Sequence, residues 1–334
     1  MKPSRSSSWL ALAVDLAIAA PASAWAQVVG SPNRPPDQSG AAFLLIPVGA
    51  RAVALGQAAV ADAGSSEAAF WNPAGLAALD RGEVAVHYAR TFVSTNTALS
   101  AYAGSRTLGT LGISAYLVDF GSQDAAGAPG VPTVGRLDPK NIELMASYAT
   151  DIAGTVSVGV SYKLIQFRQD CTGTCGALRS LVGTTHGVDI GVQCAVGRND
   201  ALRLGVALQN AGFKLQVQNR DQADALPTRV QVGAIYRLSL PASAAGERLD
   251  ARILMDVQNE WGQYANPDAR VGVELGYGDV LKLRTGYAFL HAESSGPSLG
   301  LGLKLGRVML DFARSFFESS SLDDPVYVSL RAAL

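Results

Sequence analysis

From residue 82 to the C-terminus the sequence repeats one pattern: about ten residues with apolar side chains at every second place, then a break rich in Gly, Asp, Asn or Pro. Val156-Ser-Val-Gly-Val-Ser-Tyr162 is one such stretch. In another, Val271, Val273, Leu275 and Tyr277 alternate with Arg270, Gly272, Glu274 and Gly276. Successive side chains of a strand point to opposite faces, so each stretch has one apolar face and one small or polar face. About 14 segments fit: 82–91, 96–105, 108–121, 140–151, 154–169, 182–197, 201–211, 227–240, 248–260, 268–277, 280–291, 297–305, 307–317 and 325–334. Their connections alternate between tight (150–151, 197–200, 278–279, Gly306) and long (122–139, 170–181, 212–226, 261–267, 318–324). Only 241–247 is longer than its place in that series asks.

The position of the charges separates a membrane barrel from a soluble sandwich. Arg252, Asp256, Arg270, Glu274, Lys282 and Arg284 sit mid-strand opposite apolar neighbours, so an apolar face turned to lipid sends them into the lumen. There they are expected to pair as a structural network. The even strand count, the turn asymmetry and a last segment, Val326–Leu334, that alternates to an apolar end all fit a closed barrel. The expectation is an all-β, transmembrane antiparallel β-barrel of about 14 strands over 81–334, in the bacterial outer membrane and in contact with its lipid.

Fourteen strands enclose more space than wall side chains fill, so something must plug it. Residues 40–80 lack alternation and read as short helices, Ala50–Ala61, Ser66–Trp71 and Pro73–Leu79, within an N-terminal segment and hatch over 27–80. Asn72-Pro73 is a helix start, with the Asn side chain accepting from free amides and Pro pre-set for the first helical position. Arg51 is read as a lumenal charge paired with a carboxylate, or as a latch between hatch and wall. The apolar run Phe43, Leu44, Leu45 and Ile46 packs the plug or, with Phe70 and Trp71, lines a hydrophobic ligand site. Phe213, Trp261 and Tyr264 in the outer loops are candidate anchors for a protein partner.

Composition narrows the remaining choices. Among 334 residues, 27 Lys plus Arg nearly cancel 28 Asp plus Glu, so no basic field exists for nucleic acid. No long charge-free apolar run follows the N-terminus; Pro47, Gly49 and Arg51 interrupt the best stretch, 40–61. Residues 1–26 read as a secretory signal: Lys2 and Arg5, an apolar Trp9–Ala20, then Ala22-Ser23-Ala24 or Ala24-Trp25-Ala26 for cleavage. In that exported context Cys171 and Cys175 suit a small loop disulfide. Cys194 reads as a wall residue. The three His (His87, His186, His291) fall at no ligand spacing, so neither a metal nor a cofactor is expected. No Ser gathers a His and an Asp at a recognisable elbow. The glycine-spaced run Gly300-Leu301-Gly302 fails as a phosphate loop, because strand alternation runs straight through it and no helix start follows. No enzyme is expected.

Ala42-Phe-Leu-Leu-Ile-Pro47-Val-Gly49-Ala-Arg51-Ala, Leu55-Gly56-Gln-Ala, Ala61-Asp62 and Phe70-Trp71-Asn72-Pro73-Ala74-Gly-Leu76 together resemble the N-terminal signature of the PorV/PorQ family. That family is similar to FadL-type fatty acid transporters, 14-stranded barrels with an N-terminal hatch carrying Asn-Pro-Ala. The resemblance marks Pro47, Gly49, Arg51, Gly56, Asn72, Pro73 and Ala74 as hatch positions. It implies a non-enzymatic part in type IX-like protein secretion and cell-surface attachment, with secreted cargo and other machinery subunits as partners. The alternative it implies is passage of hydrophobic small molecules, long-chain fatty acids or hydrocarbons, across the outer membrane.

Overall fold

The structure, a computed structural model, describes residues 40–334 except 106, 126–134, 153, 174, 176–179, 198–199, 217–222, 244–245, 292–294 and 317–323. The expected signal segment 1–26, and 27–39 after it, lie outside the described residues. The strands are β1 (Glu83–Arg90), β2 (Thr95–Ser105), β3 (Gly109–Asp119), β4 (Gln123–Ala125), β5 (Gly135–Ile152), β6 (Val156–Gly173), β7 (Leu181–Val196) and β8 (Leu202–Gly212). There follow β9 (Arg229–Ser239), β10 (Leu249–Glu260), β11 (Gln263–Tyr277), β12 (Leu281–Phe289), β13 (Gly296–Leu305), β14 (Val308–Ser315) and β15 (Val326–Ala333). All are antiparallel, and all but β4 form the wall. β3 pairs with β5, and β1 pairs with β15 from Glu83↔Ala333 to Arg90↔Val326, which closes a 14-stranded barrel. Closure leaves no open edge, the condition a sheet must meet in hydrocarbon, where no water can satisfy a free backbone group.

Alternation decides the two faces. On β1, Val84, Val86 and Tyr88 are exposed while Glu83, Ala85, His87 and Ala89 are buried. Every wall strand carries at least one exposed large apolar residue, so the apolar girdle is continuous around the barrel. A girdle of that extent is covered by lipid in a transmembrane barrel. No described helix is long and apolar enough to cross a membrane.

At one end, Gly278 and Gly306 adopt φ 57° and 61°, a left-handed backbone that glycine takes without a Cβ penalty and that tight turns need. The backbone N–H of Leu334 donates to Gly82 O at 2.8 Å, so the chain enters and leaves the wall at this end. At the other end the strands run further than alternation suggested: β5 and β6 extend to the pair Gly135↔Gly173, and β11 starts at Gln263 rather than 268. There the apolar alternation stops while the backbone pairing continues. Cys171 and Cys175 are disulfide-bonded here, with Cα atoms 6.3 Å apart and Leu137 packed against them.

Inside the barrel run a 3₁₀ turn Ala42–Leu45, a helix Ala50–Ala54, and 3₁₀ turns Ser66–Phe70 and Pro73–Ala78. The helix expected over Ala50–Ala61 ends seven residues early, at Ala54. Gly56 and Gln57 leave the helical region at φ 65° and 66°, because Gly56 meets the wall: a Cβ there would lie 2.6 Å from Tyr287 N and Val271 O. Wall contact outweighs helix propensity, as tertiary packing commonly does for so short a segment.

Candidate functional site

The lower part of this internal plug is seated by directional bonds to the wall. Backbone N–H groups that a short, irregular segment leaves free need acceptors, and lumenal side chains supply them. Ala59 and Val60 N–H donate to Asp256 Oδ2 at 2.7 and 2.8 Å. Ala50 N–H donates to Ser329 Oγ at 2.8 Å, and Ser66 N–H to Glu83 Oε1 at 2.7 Å. Gln193 Nε2 donates to Val60 O and Asp62 O, and Gln209 Nε2 to Phe70 O and Trp71 O.

Arg51 pairs with Asp62 within the plug and reaches the wall through Nε to Glu274 Oε2 at 3.1 Å. Glu274 also pairs with Arg284 at 2.7 Å and Arg252 at 3.6 Å, and Asp311 links Arg284 (2.6 Å) to Arg331 (2.8 Å). Burial pulls the Arg51 guanidinium below its ordinary value, and the Glu274 carboxylate opposes that. Glu67 Oε1 accepts from Ala52 N–H at 2.8 Å; burial pushes its carboxyl above the usual range while the Arg331 guanidinium pulls it down. Glu67 fills the place where a Cβ of Gly49 would be, and Gly49 takes φ 97°. Asn72 Oδ1 accepts from Ala74 N–H at 3.0 Å, and Nδ2 donates to Val60 O at 2.7 Å; Pro73 occupies the first turn position.

Glycines on the lumenal face let the plug come this close. A Cβ on Gly159 would strike Pro73 and Ala74, on Gly205 it would strike Val60 and Ala61, on Gly272 Leu55, and on Gly286 Gly56. Gly276 and Gly302 instead leave room for the Lys282–Asp250 and Arg284–Asp311 bridges.

The six lumenal charges expected to pair with one another divide among four tasks. Arg252, Glu274 and Arg284 do form one network. Lys282 binds Asp250 at 2.9 Å instead. Asp256, opposite Arg270 in register, turns to the plug amides, and Arg270 Nη1 donates to Gln258 Oε1 at 2.6 Å. The alternation left Glu67, Asp311 and Arg331 unassigned, and with them a second buried cluster: Lys163 meets Glu143 (3.2 Å), Asp189 (2.8 Å) and Asn210 Oδ1 (2.8 Å). The signal was available, since Lys163 and Asp189 interrupt apolar strands on the lumenal phase. Gly296-Pro-Ser298-Leu-Gly300 also has the spacing of a nucleophile elbow. It runs as unbroken β13, and Ser298 Oγ accepts from Gly56 N–H at 3.2 Å and donates to Ala54 O at 3.3 Å.

Above this seat, Ala41–Val48 forms a strap near the long-loop end, where Gly40 N–H donates to Ala225 O at 2.9 Å. Between strap and wall lies an apolar cavity of about 450 Å³. Phe43, Leu45, Ile46, Phe92, Val93, Phe120, Leu290 and Tyr327 line it, with Gln57, Thr91 and Ser315 as its polar groups; no charged side chain does so among the described residues. Pro47 belongs to the same lining. Of the residues expected at a hydrophobic ligand contact, Phe43 and Leu45 line this cavity, whereas Phe70 and Trp71 border a neighbouring, more polar pocket that also touches Leu44–Val48. Phe70 packs between plug clusters, and Trp71 is buried with Nε1 donating to Val48 O at 3.0 Å. Phe213 and Tyr264 are exposed, as is Trp261, whose backbone N–H donates to Thr228 O.

Residues 17–334 match the uncharacterised protein family UPF0164, to which the chain belongs. A comparison with curated proteins finds no match. In fold the chain is similar to the Ralstonia pickettii toluene transporter TbuX, with a TM-score of 0.56 and 13% identity over 87% of this chain and 100% of that one. The Pseudomonas putida toluene transporter TodX gives 0.55 at 12% identity over 86% and 98%, and the monoaromatic hydrocarbon channel CymD 0.57 at 12% over 87% and 98%. At such identities the likeness is one of fold. The FadL-like barrel that the resemblance implied is the fold found; the matching family does not carry the PorV/PorQ name.

Proposed function

We propose that this UPF0164 member is a bacterial outer-membrane channel for a hydrophobic small molecule. The observation that carries the reading is the cavity of about 450 Å³ behind the strap, walled by aromatic and aliphatic side chains and free of charged lining among the described residues. An apolar void of about 150 Å³ already accepts benzene, so this one has room for an aromatic or short aliphatic solute. The relatives in fold are a toluene transporter and a monoaromatic hydrocarbon channel, which supports the same class of solute. No feature of the fold or of the relatives favours the secretion role implied by the PorV/PorQ resemblance, and secreted cargo and machinery subunits drop from the reading. The test is uptake of radiolabelled toluene by cells expressing the chain, against Leu45→Glu. The charge in the pocket is expected to abolish uptake while the barrel still folds; unchanged uptake by folded Leu45→Glu would remove the cavity from the route.

A further inference from the structure

At the tight-turn end of the lumen, three arginines stand side by side on adjacent strands. Arg252 of β10 lies directly opposite Arg237 of β9 in register, and Arg203 of β8, opposite Ile235, is the diagonal neighbour of Arg237. Directly opposed residues have Cβ atoms about 5 Å apart, and like charges so placed repel. Arg237 thus has a guanidinium-bearing neighbour on each flanking strand, Arg252 on β10 and Arg203 on β8.

Two of the carboxylates nearby are engaged elsewhere. Asp250 holds Lys282 at 2.9 Å, and Glu274 serves Arg51 and Arg284 as well as Arg252, which it reaches at 3.6 Å. Arg203 gives one long hydrogen bond, Nη1 to Gln193 Oε1 at 3.4 Å, while its Nε is buried with no acceptor. No ion pair within 4.0 Å joins Arg203 or Arg237 to a carboxylate among the described residues. Three guanidinium forks thus face one mouth with fewer acceptors than they can use.

We infer that Arg203, Arg237 and Arg252 form a binding site for a small oxyanion of the phosphate type at this mouth. Guanidinium forks match the oxygen spacing of such an anion and bind it bidentately, and the anion relieves the repulsion along β8, β9 and β10. The site is separate from the charge-free cavity at the other end of the lumen, and it stands whether or not that cavity carries hydrophobic solutes.

The experiment is a calorimetric titration of the purified full-length barrel in detergent with inorganic phosphate, beside sodium chloride at matched ionic strength. A saturable isotherm with phosphate and none with chloride is expected. Arg237→Gln and Arg203→Gln should each weaken binding about tenfold, the loss of one charge-assisted contact. Foldedness is read independently from the heat-dependent shift of the barrel on a gel. Equal responses to phosphate and chloride would mean simple screening and overturn the site, as would phosphate affinity unchanged in both folded variants.

Discussion

The lower plug and the outer strap belong to one continuous segment, yet the barrel holds them by different physics. From Gly49 to Leu79 the chain lies against lumenal glycines and donates backbone N–H groups to Asp256, Ser329 and Glu83 of the wall. From Ala41 to Val48 it presents Phe43, Leu45 and Ile46 to an apolar cavity and makes short turns of its own, Leu44 N–H to Ala41 O and Ile46 N–H to Phe43 O. Hydrogen bonds and ion pairs are directional, so they define one position for the lower plug. Apolar contact is not directional, so the strap tolerates space beside it, and space is what a solute needs. The difference predicts that lower-plug substitutions change stability and strap substitutions change ligand affinity.

The largest effect is expected for Glu274→Gln, which leaves Arg51, Arg252 and Arg284 around a neutral amide. Breaking one partner of a buried ion network costs about 3–5 kcal/mol, read as a lower midpoint of urea unfolding in vesicles; an unchanged midpoint would mean the plug is seated without its charges. Gly286→Val puts a side chain where Gly56 lies, at about 1–3 kcal/mol for overpacking. It should also loosen the plug, visible as raised ion conductance in a planar bilayer. Phe92→Ala, in the cavity beside the strap, should weaken binding of a hydrophobic probe about tenfold, near 1.4 kcal/mol of lost apolar contact, with no shift of the unfolding midpoint. If the midpoint moved instead, the contrast between the two regions would fail. Asn72→Ala removes the cap on Ala74 and the donor to Val60 O, for about 1 kcal/mol. The smallest is Cys171→Ser, expected to leave the barrel midpoint alone and only speed proteolysis of the outer β5–β6 hairpin.

The wall was readable because its cause is local. Val271, Val273, Leu275 and Tyr277 announce their face by period alone, and the strand ends differ from the expectation by a few residues except where β5, β6 and β11 continue past the apolar alternation. The site was readable in part. Phe43, Leu45, Arg51 and Asn72 stood out in the N-terminal segment, yet the partners of Arg51 could not be named, since Glu274 lies 223 positions away. Phe70 and Trp71 were ambiguous because an aromatic pair packs a plug as well as it lines a pocket, and here the two pack the plug and border a polar pocket beside it.

Alternation, turn residues and the phase of the charges, all properties of neighbours along the chain, determined a closed barrel with a polar lumen and a segment left over to fill it. Which lumenal groups meet depended on register around the closed sheet and on how deep the plug sits. Asp256 turned from Arg270 to two amides, Lys282 took Asp250, and three arginines came together at one mouth. Those choices belong to the tertiary structure because a buried polar group binds whatever closure brings within reach, and closure joins residues that no local period relates.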